Sequence, residues 1–96
     1  MIVSERQTDQ GLLVTVCDTG LIGETFEDGD VSITVNEEFY GGDEVGEDDV
    51  LDSLGRASVA NLVGTRTVEF AIDEGFVDES VVLDIADTRH AQVLRL

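Results

Sequence analysis

The sequence predicts an α+β fold: one small domain over residues 1–96, with a mixed β-sheet of about five to six strands, N-terminal hairpins and two α-helices. Three observations carry this expectation. Apolar and polar residues alternate in short runs through the first third of the chain. After "EEFYGGDEVG" the hydrophobic period lengthens to that of a helix, and strand-like and helix-like runs then take turns to the C-terminal end. Length agrees, because a chain of 96 residues supports one modest core and buries roughly 65% of the surface it exposes when unfolded. There is no proline, linker or internal repeat to mark a second unit.

The first two runs, "MIVSER" and "LLVTVCD", flank "QTDQG", where Asp9 and Gly11 are turn residues, so a β-hairpin is expected. In "LIGETFEDGDVSITVN", Asp28 and Gly29 form the dipeptide favoured by a type I′ turn. Val31, Ile33 and Val35 alternate with Ser32 and Thr34 after it, whereas before it Ile22 and Phe26 share a face with Glu24. Continued alternation puts Glu37 and Phe39 inward and Tyr40 outward, and Gly41 and Gly42 then release the chain from the sheet. Val50, Leu51 and Leu54 form a helical stripe behind the acidic first turn Glu47, Asp48 and Asp49, with Gly55 as the stop. Ser58 to Gly64 reads as a buried strand. Val68, Ala71 and Ile72 define a second helix, with Gly75 as a left-handed cap and Phe76 packing back. "SVVLDI" and "TRHAQVLRL" are two strands joined by Ala86 and Asp87, and Ser58 to Ile85 is expected to form a crossover between parallel strands.

Charge narrows the setting. Twenty-two Asp and Glu oppose five basic residues, all Arg, for a net charge of -17, yet the hydrophobic fraction of 42% is ordinary for a folded protein. An acidic, lysine-free surface fits a halophile's cytoplasm, where a Debye length of about 3 Å screens the self-repulsion. Cys17 is the only cysteine, which leaves no intrachain disulfide and points to a reducing compartment. The N-terminal segment carries no secretory pattern and no run is apolar enough for a membrane span, so the expected location is cytoplasmic, without membrane association.

The candidate chemistry is sparse. Carboxylates are abundant around "ETFEDGD" and "GGDEVGEDD", but neither has the ligand spacing of a calcium loop, and one Cys with one His makes no zinc site; no metal and no cofactor is expected. Cys17 fits a buried strand-end thiol better than a nucleophile. His90, grouped by alternation with Gln92, Leu94 and Leu96, is the one imidazole available for acid-base work or ligand contact. The strand-to-helix turn at Gly64, Thr65 and Arg66 could present backbone N–H groups to an anion, although no full phosphate-binding fingerprint is present. A basic face for nucleic acid is absent, which leaves stacking by Tyr40 and contacts from arginines such as Arg89 as the means of holding RNA.

"LIGETFEDGD", "EEFYGG", "ANLVG" followed by "TVEFAIDEGFV", and "RHAQVLRL", in this order and spacing, resemble the archaeal family catalogued as domain of unknown function 424. The resemblance spans nearly the whole chain. It implies a haloarchaeal source and a single compact domain, and it brings no activity or catalytic residue with it.

The reading that follows is a halophilic cytoplasmic interaction module without catalysis, monomeric or homodimeric. Its partner is RNA or a translation-associated protein, an association that rests on the family level. Its candidate surface is Tyr40, Gly41, Gly42, Arg89, His90 and Gln92. The alternative is a small enzyme or small-molecule binder built on His90 and the Gly64 turn. The halophile reading predicts marginal folding in dilute buffer and cooperative folding as KCl rises. Circular dichroism across a KCl series checks it, and a spectrum indifferent to salt would sink it.

Overall fold

The computed structural model describes residues 1–95. The first hairpin pairs β1 (Ile2–Thr8) with β2 (Gly11–Cys17), from Ile2 opposite Cys17 to Thr8 opposite Gly11. Asp9 and Gln10 make the turn, and the Thr8 hydroxyl accepts from the Gln10 N–H at 3.2 Å. A second hairpin, β3 (Thr25–Asp28) and β4 (Val31–Thr34), follows and forms a separate two-stranded sheet. Its turn departs from the expected one. Asp28 pairs with Val31, so Gly29 and Asp30 are the loop residues, and only Gly29 has positive φ, at 63°. That pattern suits a type II′ turn, which asks for a glycine at its first central position.

The alternation of Val31, Ile33 and Val35 ends at a buried Val35 and does not continue to Phe39. Residues Glu37–Tyr40 form one helical turn, α1, because the Asn36 side chain caps it by accepting from the Phe39 N–H at 2.8 Å, and Glu37 and Glu38 stand at the favourable end of the dipole. Winding the chain here inverts the expected orientations. Tyr40 is buried at 5% exposure, while Phe39 sits at the margin with the Arg6 guanidinium 5.6 Å from its ring centroid.

A two-residue strand β5 (Asp43–Glu44) leads into α2 (Glu47–Arg56), which buries Val50, Ser53 and Leu54. The helix runs through Gly55, the expected stop, and ends with Ala57 as its cap. Next come β6 (Val59–Val63) and α3 (Thr65–Asp73), which buries Thr67, Val68 and Ala71. The last turn of α3 closes as the sequence predicts. Gly75, at φ 82°, donates to the Ile72 carbonyl at 3.0 Å, and the Phe76 N–H donates to that of Ala71 at 2.9 Å. Residues expected to begin the next strand instead form a 3₁₀ turn, Glu79–Val81, with Asp78 accepting from the Ser80 N–H. Only Leu83–Ile85 then pairs as β7 with β8 (Thr88–Leu94), while Leu96, expected in the same alternation as His90, lies outside the described residues.

The main sheet is mixed and six-stranded, in the order β5-β1-β2-β6-β8-β7. Among the described residues its one parallel pair is β2 with β6. β6 and β7 do run parallel, as the expected crossover requires, but β8 is inserted between them and is antiparallel to both. Both long helices pack on one face, where Val14, Val16, Ala60, Leu62 and Ala91 meet Val50, Leu54, Val68 and Ala71. The opposite face is covered over only part of its width. There Cys17 and Val63 lie under Val35 and Tyr40, with Ile22, Phe26 and Ile33 of the second hairpin segment packed around them. At fully buried Leu62, truncation to alanine would cost about 2–5 kcal/mol.

Candidate functional site

The ladder settles which candidate residues share a surface. Directly opposed residues project from the same face, so Ile2, Cys17, Val63, His90 and Leu83 form one row across the sheet. Two residues along, Thr15, Asn61 and Gln92 form the next row, and Leu13, Val59 and Leu94 the third. α1 roofs the β1–β2 side of this face, with the Thr15 hydroxyl donating to the Phe39 carbonyl at 3.2 Å. The second hairpin covers the end near β7, where Ile85 and Thr88 are buried. The uncovered remainder is made by Leu83, His90, Asn61, Gln92, Val59 and Leu94, and Leu94 is 66% exposed. All six are uncharged.

Of the predicted surface, His90 and Gln92 fall in this open half-face. Tyr40 projects toward the same face but lies within the cluster of Cys17, Val35 and Val63. Burial, and then the neighbouring Cys17, raise its phenol above the ordinary range, so the ring serves the core and is not offered for stacking. Arg89 alternates with His90 and so points to the helical face, where it is held by Glu79 at 2.6 Å and Asp84 at 2.8 Å. Gly41 caps α1, its N–H donating to the Glu37 carbonyl at 2.8 Å. Gly42 passes so close to the Val3 carbonyl that any Cβ would collide with it. Both glycines are explained by close approach, Gly41 to the Glu37 backbone of α1 and Gly42 to the β1 edge.

The expected anion contact is occupied from within. Asp18, which follows β2, accepts from the Arg66 N–H at 3.1 Å and from the Thr67 N–H and hydroxyl at 2.7 Å each. Gly64 is required here because its φ is 116° and because a Cβ would run into the Asp18 carboxylate. The Arg66 side chain is exposed and, among the described residues, reaches only Glu47, at 3.9 Å. The N-terminus of α3 is therefore a built-in carboxylate site, already filled, and the Gly64–Arg66 turn is not open to an external anion.

Catalytic chemistry gains little from this geometry. Cys17 is fully enclosed, and desolvation, followed by the charge of Asp18, pushes its thiol up to about 11, so it is protonated at neutral pH and shielded from substrates. Among the described residues no carboxylate hydrogen-bonds His90, and no group of three or more His, Cys, Asp and Glu side chains converges. None of their helices is long and apolar enough to cross a membrane.

Asp18 is the residue that sequence reasoning does not rank as functional, and Asn61 enters it only within the "ANLVG" segment. Asp18 reaches groups 48 and 49 positions away, so no local pattern could reveal it. Asn61 was accessible through alternation, which places it beside Gln92 once the antiparallel β6–β8 pairing is known.

The fold and site thus define a small α+β protein whose mixed sheet is covered by helices on one face and left partly open, by an uncharged patch, on the other. The chain belongs to the family described as protein of unknown function (DUF424), whose model matches residues 5–96. It is similar in fold to the crystal structure of an uncharacterized conserved protein from Methanopyrus kandleri, with a TM-score of 0.78 and 17% identity over 99% of this chain and 92% of that one. No curated protein matches it.

Burial lowers the pKa of His90 below the usual 6.5. The unfolded chain therefore binds the proton more readily, and His90 contributes stability that is present above about pH 6.5 and is lost as pH falls through the folded value. Urea midpoints measured in high salt from pH 7.5 to 5.5 should fall less steeply for His90→Asn than for the parent chain. Parallel profiles would show that His90 carries no such linkage.

Proposed function

We propose that this protein is a non-catalytic, halophilic cytoplasmic interaction module that docks a partner protein on the open half-face of its sheet. The observation that supports this reading is the patch made by Leu83, His90, Asn61, Gln92, Val59 and Leu94, six uncharged side chains on a chain of net charge -17. Depletion of charge at the centre, with polar groups able to donate and accept, is the compositional signature of a protein interface. Asn61 and Gln92, directly opposed, supply amides for fixing register, and exposed Leu94 supplies apolar area.

The partner we propose is a protein of the translation or RNA-handling machinery, an expectation drawn from family-level association and not from any residue of this chain. A protein suits the patch better than RNA itself, since Tyr40 is buried and Arg89 is engaged on the opposite face. The rival reading, a small enzyme using His90 with the Gly64 turn, loses support from the occupation of that turn by Asp18.

Tagged protein incubated with a haloarchaeal lysate in high salt should retain a protein partner despite RNase. Leu94→Asp should lower that recovery by about tenfold or more, the scale of one well-packed interface residue, whereas Val81→Asp, also on an exposed residue but outside the patch, should not. Recovery abolished by RNase would move the assignment to RNA. Recovery indifferent to Leu94→Asp, or no partner at all, would refute the docking face.

A further inference from the structure

Strand β1 has a second unpaired feature, independent of the open half-face. β2 pairs with all seven of its residues, but β5 pairs on the other side only with Ile2 and Val3. The Val45 N–H donates to the Met1 carbonyl at 2.8 Å across that edge, and the backbone of Gly42 abuts the Val3 carbonyl. Because backbone direction alternates along a strand, Glu5 and Gln7 also turn their N–H and carbonyl groups outward. No strand meets them among the described residues.

Beside this edge runs a groove floored by Val3, Ser4 and Glu5 and walled by α2. Asp43, Asp49 and Asp52 line it. Arg56, the one cation there, is already shared by Glu5 at 2.5 Å and Asp52 at 3.0 Å, and the Ser53 hydroxyl also donates to Glu5. Asp43 and Asp49 enter no ion pair among the described residues. The groove thus offers unused backbone groups along β1 and unused carboxylates at Asp43 of β5 and Asp49 of α2.

We infer that this groove takes an extended, cationic segment of a partner protein as an added antiparallel strand, lying beside Glu5 and Gln7 in the line that β5 abandons at Gly42. Backbone pairing with Glu5 and Gln7 supplies the register, and alternate Lys or Arg side chains of the segment meet Asp43 and Asp49. Gly42 marks the end of the groove, because the chain there presses against Val3 and leaves no room for the added strand to continue. This assignment does not depend on the half-face that carries His90 and Gln92, since β1 and α2 contribute no residue to it.

The probe is the blocked hexapeptide acetyl-Val-Lys-Val-Lys-Val-Lys-amide, in the KCl concentration that holds the chain folded. One copy should bind and slow hydrogen exchange at the Glu5 and Gln7 amides. Gln7→Pro removes one outward N–H without touching the pairing to β2, and should weaken binding about tenfold. Asp43→Asn with Asp49→Asn should weaken it by about three- to tenfold, and both variants should keep the parent circular dichroism. The same peptide methylated on alternate backbone nitrogens should fail to bind. Absence of binding, equal binding of the methylated peptide, or protection that spares Glu5 and Gln7 would each overturn the proposal.

Discussion

The structure turns on the carboxylate of Asp18. The parallel pairing of β2 with β6 ends at Cys17 opposite Val63, and the next residues on each strand lock the junction. The Asp18 N–H donates to the Val63 carbonyl at 3.2 Å while its side chain receives the first free amides of α3. Gly64 in turn donates to the Arg89 carbonyl at 2.9 Å. One residue therefore joins β2, β6, α3 and, through Gly64, β8. A parallel pair needs such a device, because its strands are connected through a long excursion and no tight turn fixes their register.

That register decides what is buried and what is presented. With Val63 opposite Cys17 and His90 opposite Val63, the residues Val16, Leu62 and Ala91 are committed to the helical face, and Asn61 and Gln92 to the other. A slip of one residue would exchange the two sets and bury amides in an apolar core. The open half-face is thus a consequence of the same junction that starts α3. The acidic surface is organised around it: carboxylates crowd α2, the helix ends and the hairpin tip, whereas the strand rows leading from His90 to Leu94 carry none.

Local chemistry made much of this fold legible. The Gly29 hairpin, the acidic start of α2, the Val68–Ala71–Ile72 stripe and the Gly75 cap are each encoded within a few residues, and each forms where the sequence places it or within a residue or two. The structure departs from the expected pattern where one local signal outweighs another. Strand alternation through Val35 suggested an inward Phe39, yet Asn36 followed by two glutamates is a helix start, and winding the chain there buried Tyr40 instead. The candidate site was legible only as residue types. His90 and Gln92 could be grouped by alternation, but which face they occupy, which part of it is roofed by α1, and the filling of the Gly64 turn by Asp18 all depend on pairings between distant segments.

The same dependence offers the most direct test. Replacing Asp18 by alanine leaves the exposed Arg66 amide and the part-buried Thr67 amide without their acceptor at the start of α3, at a cost of about 1–2 kcal/mol for the lost cap and its charge at the helix terminus. Hydrogen exchange at the Thr67 amide, followed together with the urea midpoint of Asp18→Ala, reads this directly. The account predicts Thr67 exchange accelerated at least about tenfold, with a matching loss of stability. A Thr67 amide as protected as in the parent chain, at unchanged stability, would show that the junction does not hold the fold together.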